Sequence, residues 1–319
     1  MHSFRLAVML LLLAVSSLGA QSIERPMWIS SQSPMQSLHL GLMPAVPQWL
    51  APGEFSVERA ETWTNVWIDQ RPALLIDYEA IDSRVAINGG LPWSSQFRVE
   101  LEDRIGTGGR LDGLIENFHR VIHNVDQRDT VRRGSVNIEV RDPKTGDLVI
   151  SRHSLGHFSR AATATLSRRF GNFAGSVSMR VPRNGGEAVD RGGVDTGVSL
   201  ARSRMIDGRS VHAGGGVSRL ANAYIGPMRV GHVEKTAFVA AVQPVTARTS
   251  LIAQYLFNAA IAETGPLANG SHEVSIGTRF HATARTAFDA GIVENIINFN
   301  NGPDFGFHFG LTFDPGRPR

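Results

Sequence analysis

The stretch GTGGRLDGLIENFHRVIH, from Gly106 to His123, is the most distinctive source of chemistry in the chain. Read as a helix, it places Leu111, Leu114, Ile115, Phe118 and Ile122 on one side and Asp112, Glu116, His119 and His123 on another, at i, i+4, i+7 and i+11. Two carboxylates and two imidazoles on one stripe can bind a divalent metal. They can also do acid–base work, since histidine titrates near neutrality and a carboxylate can orient it. The plainer reading is an amphipathic helix that packs its apolar side and leaves its charged side in water. The spacing is not HExxH, and no Lys-Ser/Thr follows Gly106, Gly108 and Gly109 to make a phosphate loop. A second cluster, Ser154, His157 and Ser159, has the residue types of a serine hydrolase but no GxSxG elbow. No residue set points to a cofactor.

Such residues need a scaffold, and the scaffold signal is alternation. From Pro303 to Phe313 the chain reads PDFGFHFGLTF, with Phe305, Phe307, Phe309, Leu311 and Phe313 at every second position and Gly306, His308, Gly310 and Thr312 between them. A β-strand turns these into one apolar and one small or polar face. The same period-two pattern recurs in Ser250–Ile261, Ser271–His281, Phe173–Val181 and Phe97–Glu102. It predicts twelve strands, near 55–69, 73–90, 95–104, 157–169, 173–182, 193–204, 209–220, 230–243, 246–259, 271–281, 284–295 and 304–313. Short connections (GLPWSSQ, RFGN, MIDG, QPVTAR, HATA) alternate with longer ones at 105–156, 183–192, 221–229, 260–270 and 296–303, with 70–72 the exception. An even number of tilted strands with short turns at one end and long loops at the other describes an all-β, antiparallel, up-and-down transmembrane barrel. The longest connection, 105–156, is expected to hold one short helix and a hairpin turning at DPKTGD between Ser135–Arg141 and Leu148–Arg152.

Composition agrees. Residues 1–20 have the layout of a secretory signal peptide: Arg5, an apolar run from Leu6 to Val15, then small residues to Ala20. Beyond it no apolar run reaches 18 residues, so a bilayer would be crossed by strands or not at all. The 32 Lys+Arg against 29 Asp+Glu form no like-charge block, which argues against nucleic acid as a partner. Zero cysteines exclude disulfides and thiol chemistry. Residues 21–53 lack periodicity and are expected in the periplasm or folded into the barrel mouth. The barrel is then 54–313, with 314–319 as a tail.

With apolar faces outward, the lumen is expected to be lined by Arg98, Glu100, Glu102, Arg180, Asp195, Gln254, Glu273, Arg279, Asp289 and His308, joined by Asp77 and Glu79. Charges of both signs there mean a hydrated pore or an ion-pair network that fills it. Trp67, Trp93, Phe158, Phe170, Phe173, Tyr255, Phe280 and Phe313 suit aromatic girdles at the two lipid interfaces.

Asp112-Gly113 with Glu116, Phe118 and His119, preceded by Gly108-Gly109, resembles the signature of a family of Gram-negative outer-membrane β-barrels catalogued as a domain of unknown function. SSQSPMQSLHLGLMPAVPQWLAPGEF resembles the Pro-containing stretch before that family's first strand, and the similarity runs over nearly all of the mature chain. His123 has no counterpart, which leaves Asp112, Glu116 and His119 as the catalytic candidates. The closing aromatic strand also resembles the signal read by barrel-assembly machinery, although Asp314–Arg319 extend past it. The resemblance implies outer-membrane location, with lipids, lipopolysaccharide and the assembly machinery as partners, and brings no established activity. Three functions follow as expectations: a channel or passive conduit for a small solute; an enzyme acting on lipid or lipopolysaccharide through His119 with Glu116 or Asp112; and a periplasmic β-rich binding protein.

Overall fold

A computed structural model describes residues 24–42, 49–111, 113, 134–141, 145–154, 156–183, 193–221, 224–225, 228–262, 267–295, 297 and 301–315. The strands are β1 (Phe55–Gln70), β2 (Leu74–Leu91), β3 (Ser95–Thr107), β4 (Asn137–Arg141), β5 (Leu148–Arg152), β6 (Gly156–Phe170), β7 (Phe173–Pro182), β8 (Asp195–Ile206) and β9 (Arg209–Arg219). They continue with β10 (Tyr224–Ile225), β11 (Met228–Arg229), β12 (Val233–Pro244), β13 (Thr249–Asn258), β14 (Ser271–His281), β15 (Thr286–Asn295) and β16 (Phe305–Phe313).

Twelve of them pair antiparallel, each with its neighbour in chain order, and β1 pairs with both β2 and β16. The sheet is therefore a closed barrel with no free edge. The remaining strands are accessory: β4 pairs with the start of β2 and carries β5, and β10 pairs with β11. Turn chemistry sets the short connections. Asp207 and Gly208, both at positive φ, make a two-residue hairpin turn between β8 and β9, and Gly171 does the same work between β6 and β7. Among the described residues the helical element with defined bounds is a 3-10 turn at Gln36–Leu38, in the N-terminal segment. The helix anticipated in the long loop falls almost wholly on residues outside those described.

The alternation resolves as one face out and one face in. Val85, Ile87, Val99, Leu101, Leu166, Val177, Val198, Leu200, Phe288 and Phe309 project outward and are exposed, Phe309 by 59%. Their neighbours in sequence point inward and are buried or half-buried. The outer face is not uniform, however. Phe305, on the same side as Phe309, is only 4% exposed because Leu111 packs against it beside Trp63, Ile292 and Phe307. The start of the segment after β3 thus covers the outer surface of β16 and β1 near the long-loop end. Phe158 is also buried, since a register shift at Arg104/Ile105 turns its ring inward, edge-on to Tyr78 at 5.7 Å; it does not belong to an outer aromatic girdle.

Two regions occupy the interior. At the long-loop end the inward face of the β1–β2 hairpin, which outruns its neighbours, supplies Val66, Ile68, Leu74, Ile76 and Tyr78 to an apolar cluster. Val140 on β4, Leu220, Val230, Ile261 and Leu267 from the loops complete it. Below this lid lies the N-terminal segment.

Candidate functional site

Residues 24–42 run inside the barrel. Glu24 starts near the short turns, where its backbone N–H donates to Ser210 Oγ at 2.8 Å and its carboxylate accepts from Ser250 Oγ at 3.0 Å. The chain climbs past Arg25, which pairs with Glu58 and Thr312, to Met27, whose N–H donates to Gln254 Oε1 at 3.0 Å. Higher up, the Gln32 N–H donates to Glu273 Oε2 at 2.8 Å, Ser31 Oγ donates to Glu273 Oε1, and Ser30 Oγ donates to Asp82 at 3.0 Å. At the 3-10 turn Met35 and Leu38 enter the apolar lid. The chain then descends: Leu40 N–H donates to Asp195 Oδ2 at 3.0 Å, and Trp49 meets Arg169 beside the β6–β7 turn. Glu24 and Trp49 therefore both lie at the short-turn end.

An irregular chain has no partner strand, so its backbone polar groups must find side chains or stay unsatisfied. The inward charges serve that need. Arg279 is held by both Asp289 oxygens at 2.7 Å and donates to the carbonyls of Arg25 at 2.7 Å and Pro26 at 3.2 Å. Arg180 pairs with Glu102 and donates to the Leu38 carbonyl at 3.0 Å; Arg104 donates to Gln32 Oε1 at 2.8 Å. Glycines make the room. A Cβ at Gly277 or Gly291 would lie 2.5 or 2.9 Å from Met27 Sδ, and one at Gly216 would lie 2.5 Å from Leu42. Met27 is accordingly 0% exposed, a burial that contributes about 1.5–3 kcal/mol.

Burial alone would raise the Glu24 carboxyl, but the His281 imidazole 3.7 Å away, the Ser250 hydroxyl and the Arg279 charge outweigh it and hold it below the ordinary glutamate value. Glu234, on the inward face of β12, stands apart: it is fully buried and neither carboxyl oxygen has a hydrogen-bond partner among the described residues.

The segment does not fill the lumen. Beside it lies a cavity of about 120 Å³, open at its mouth, that reaches from Arg180 and Glu102 to Gln96 and Ser167 near the short turns. Its far wall is a run of hydroxyls on three strands: Thr163, Thr165 and Ser167 of β6, Ser176 and Ser178 of β7, and Ser199 of β8. Thr165 and Ser178 lie 2.9 Å apart, and Ser167 and Ser176 2.8 Å.

Arg98, Glu100, Glu102, Arg180, Asp195, Gln254, Glu273, Arg279, Asp289 and His308 all sit on inward faces. Asp77 and Glu79 do not join them. Glu79 is opposite Asn65 and on the side of Trp63, hence on the outer face, where its carboxylate accepts from Trp63 Nε1 at 2.9 Å and from the Leu111 backbone N–H. There the hairpin outer face is covered by protein, so charge is tolerated without a lumen. Ser159 and His157 are parted as well. Ser159 points inward to Arg180, while His157 is outside, 2.8 Å from Asp103. Asp112, Glu116, His119 and His123 lie outside the described residues, and among those described no three His, Asp or Glu gather as a metal site. Sequence reading missed the hydroxyl wall and the path of the segment; the inward glycines at 197, 216, 277 and 291 were the available signal.

Residues 3–314 match one family model, described as a protein of unknown function (DUF3187). The chain belongs to that family. No curated protein matches it. Among solved structures, this DUF3187 chain is similar to the COG4313 outer membrane channel from Pseudomonas putida F1, at 11% identity and a TM-score of 0.53, over 83% of this chain and 96% of that one. That likeness shows a shared fold, the barrel of outer-membrane proteins. The translocator domain of the autotransporter NalP from Neisseria meningitidis is matched at 9% identity and a TM-score of 0.46, over 83% of this chain and 89% of that one. The CymD monoaromatic hydrocarbon channel is matched at 8% and 0.43, over the same shares.

Proposed function

We propose that the chain is an outer-membrane conduit for a small solute, held shut at rest by its own N-terminal segment. The outward belt of Val, Leu and Phe suits hydrocarbon, and the short turns then face the periplasm and the long loops the exterior. The single observation that carries the reading is the asymmetry of the lumen: one side is packed with residues 24–42 and the other is an open, hydroxyl-walled cavity. A barrel needed only as a membrane anchor has no use for such a space, whereas a conduit needs a polar path and a movable obstruction. The fold shared with a protein named as an outer membrane channel supports the same choice. In planar bilayers, the full chain is expected to conduct poorly, and a variant lacking residues 26–41 at least about ten times better, as removal of a blocking state predicts. Heat-modifiable gel migration verifies that the shortened barrel is folded. A folded variant with unchanged conductance overturns the proposal, as does recovery of the full chain in a soluble periplasmic fraction.

A further inference from the structure

The conduit reading leaves the solute open, and the cavity bears on it. We infer that the vestibule beside the N-terminal segment is a binding site for a neutral, polyhydroxylated solute of the size of a small saccharide. The inference rests on the conduit reading.

Two observations carry it. The first is that the charges around the cavity are already matched. Arg25 pairs with Glu58; Arg98 with Glu58 at 2.9 Å; Arg84 with Asp82 at 3.0 Å, Glu100 at 2.6 Å and Glu102 at 3.3 Å; and Arg180 with Glu102. A charged solute entering here loses water and meets no free countercharge, a cost that a neutral one avoids. The second is the wall itself. Each of the six hydroxyls on β6, β7 and β8 can both donate and accept, so the wall complements the mixed donors and acceptors of a polyol without preferring either sense. Thr163, Thr165, Ser176, Ser178 and Ser199 are partly open to the lumen, which leaves them free to exchange their present bonds for a ligand's. A site built to bond hydroxyls rejects analogues that lack them, because its own groups are then left unpaired.

The side facing the wall adds unpaired polar groups. Trp28 Nε1, Ser37 Oγ, Gln96 Oε1 and Arg98 Nη2 all belong to residues lining this cavity, and all lack a hydrogen-bond partner among the described residues. Trp28 is 7% exposed and Gln96 3%, and the Arg98 guanidinium lies 4.0 Å over the Trp28 ring. Buried polar groups left unpaired are costly, and a solute that presents hydroxyl oxygens and hydrogens has the donors and acceptors they lack.

The test is saturation-transfer NMR on the purified full chain in detergent at about pH 6, where glucosamine is protonated, with sucrose, gluconate and glucosamine as neutral, anionic and cationic probes. Sucrose is expected to receive transfer at concentrations where the two charged sugars do not. Thr165→Val with Ser178→Ala is expected to weaken sucrose binding at least about ten-fold, the loss of two or more hydrogen bonds, while Thr196→Val on the outer face leaves it unchanged. Preferential transfer to gluconate or glucosamine, no transfer to sucrose, or indifference to the paired substitution each overturn the inference. None of these outcomes touches the conductance gained by removing residues 26–41, so the solute class and the conduit can fail separately.

Discussion

The two sides of the lumen are built from different chemistry. On β13–β16 and β1–β3 the inward side chains include carboxylates, guanidinia and amides, and Arg279, Glu273, Gln254, Asp82 and Glu58 among them reach the N-terminal segment. On β6–β8, below Arg180 and Asp195, the inward side chains that line the cavity are hydroxyls, four of them bonded across strands in pairs. The contrast follows from what each side must do. A peptide lacking a partner strand presents carbonyls and N–H groups in an irregular sequence, and ionised side chains make the stronger bonds to them. A surface kept for transient contacts needs groups that bond weakly in either direction.

If the comparison is right, substitutions on the first side are costly and those on the second are not. The largest effect is expected at Arg279→Met. It strands the Asp289 carboxylate and two carbonyls of the segment, and breaking a buried pair in this way costs about 3–5 kcal/mol, read as a lowered urea midpoint of the folded barrel in detergent. Gly277→Ala is expected next, at about 1–3 kcal/mol for overpacking against Met27 and the Ala290 carbonyl; part of that loss should be recovered by Met27→Ala, and no recovery would mean that the segment does not rest where Met27 is placed. Acid should loosen the segment more gently. The depressed Glu24 carboxyl contributes stability above the ordinary glutamate value and loses it as pH falls through the lower folded value, so proteolysis within residues 24–42 should increase on acidification from neutrality to about pH 3. Ser250→Ala should flatten that dependence. On the other side, Ser199→Ala is expected to move the midpoint by no more than about 0.5 kcal/mol, and a larger loss would mean that the hydroxyl wall is structural.

The barrel was legible because each strand repeats a two-residue rule imposed by two different surroundings, and the inward charges followed from it. Asp77 and Glu79 obeyed the rule in sequence but not in space: the β1–β2 hairpin continues beyond the barrel, where its outer face is buried by Leu111 and tolerates polar residues. The N-terminal segment was not legible, since its order comes from partners such as Glu273 for Gln32 and Arg279 for Arg25, more than 200 residues away. No local period records that. The hydroxyls of β6–β8 passed as ordinary inward polar residues because only three-dimensional proximity to an empty space distinguishes them.

Because Glu24 and Trp49 both lie at the short-turn end while Met35 reaches the apolar lid at the other, the described residues between them are laid in the barrel as a bight. Its two limbs are reached from one mouth, so tension applied there to either of them acts to withdraw the apex from the bore.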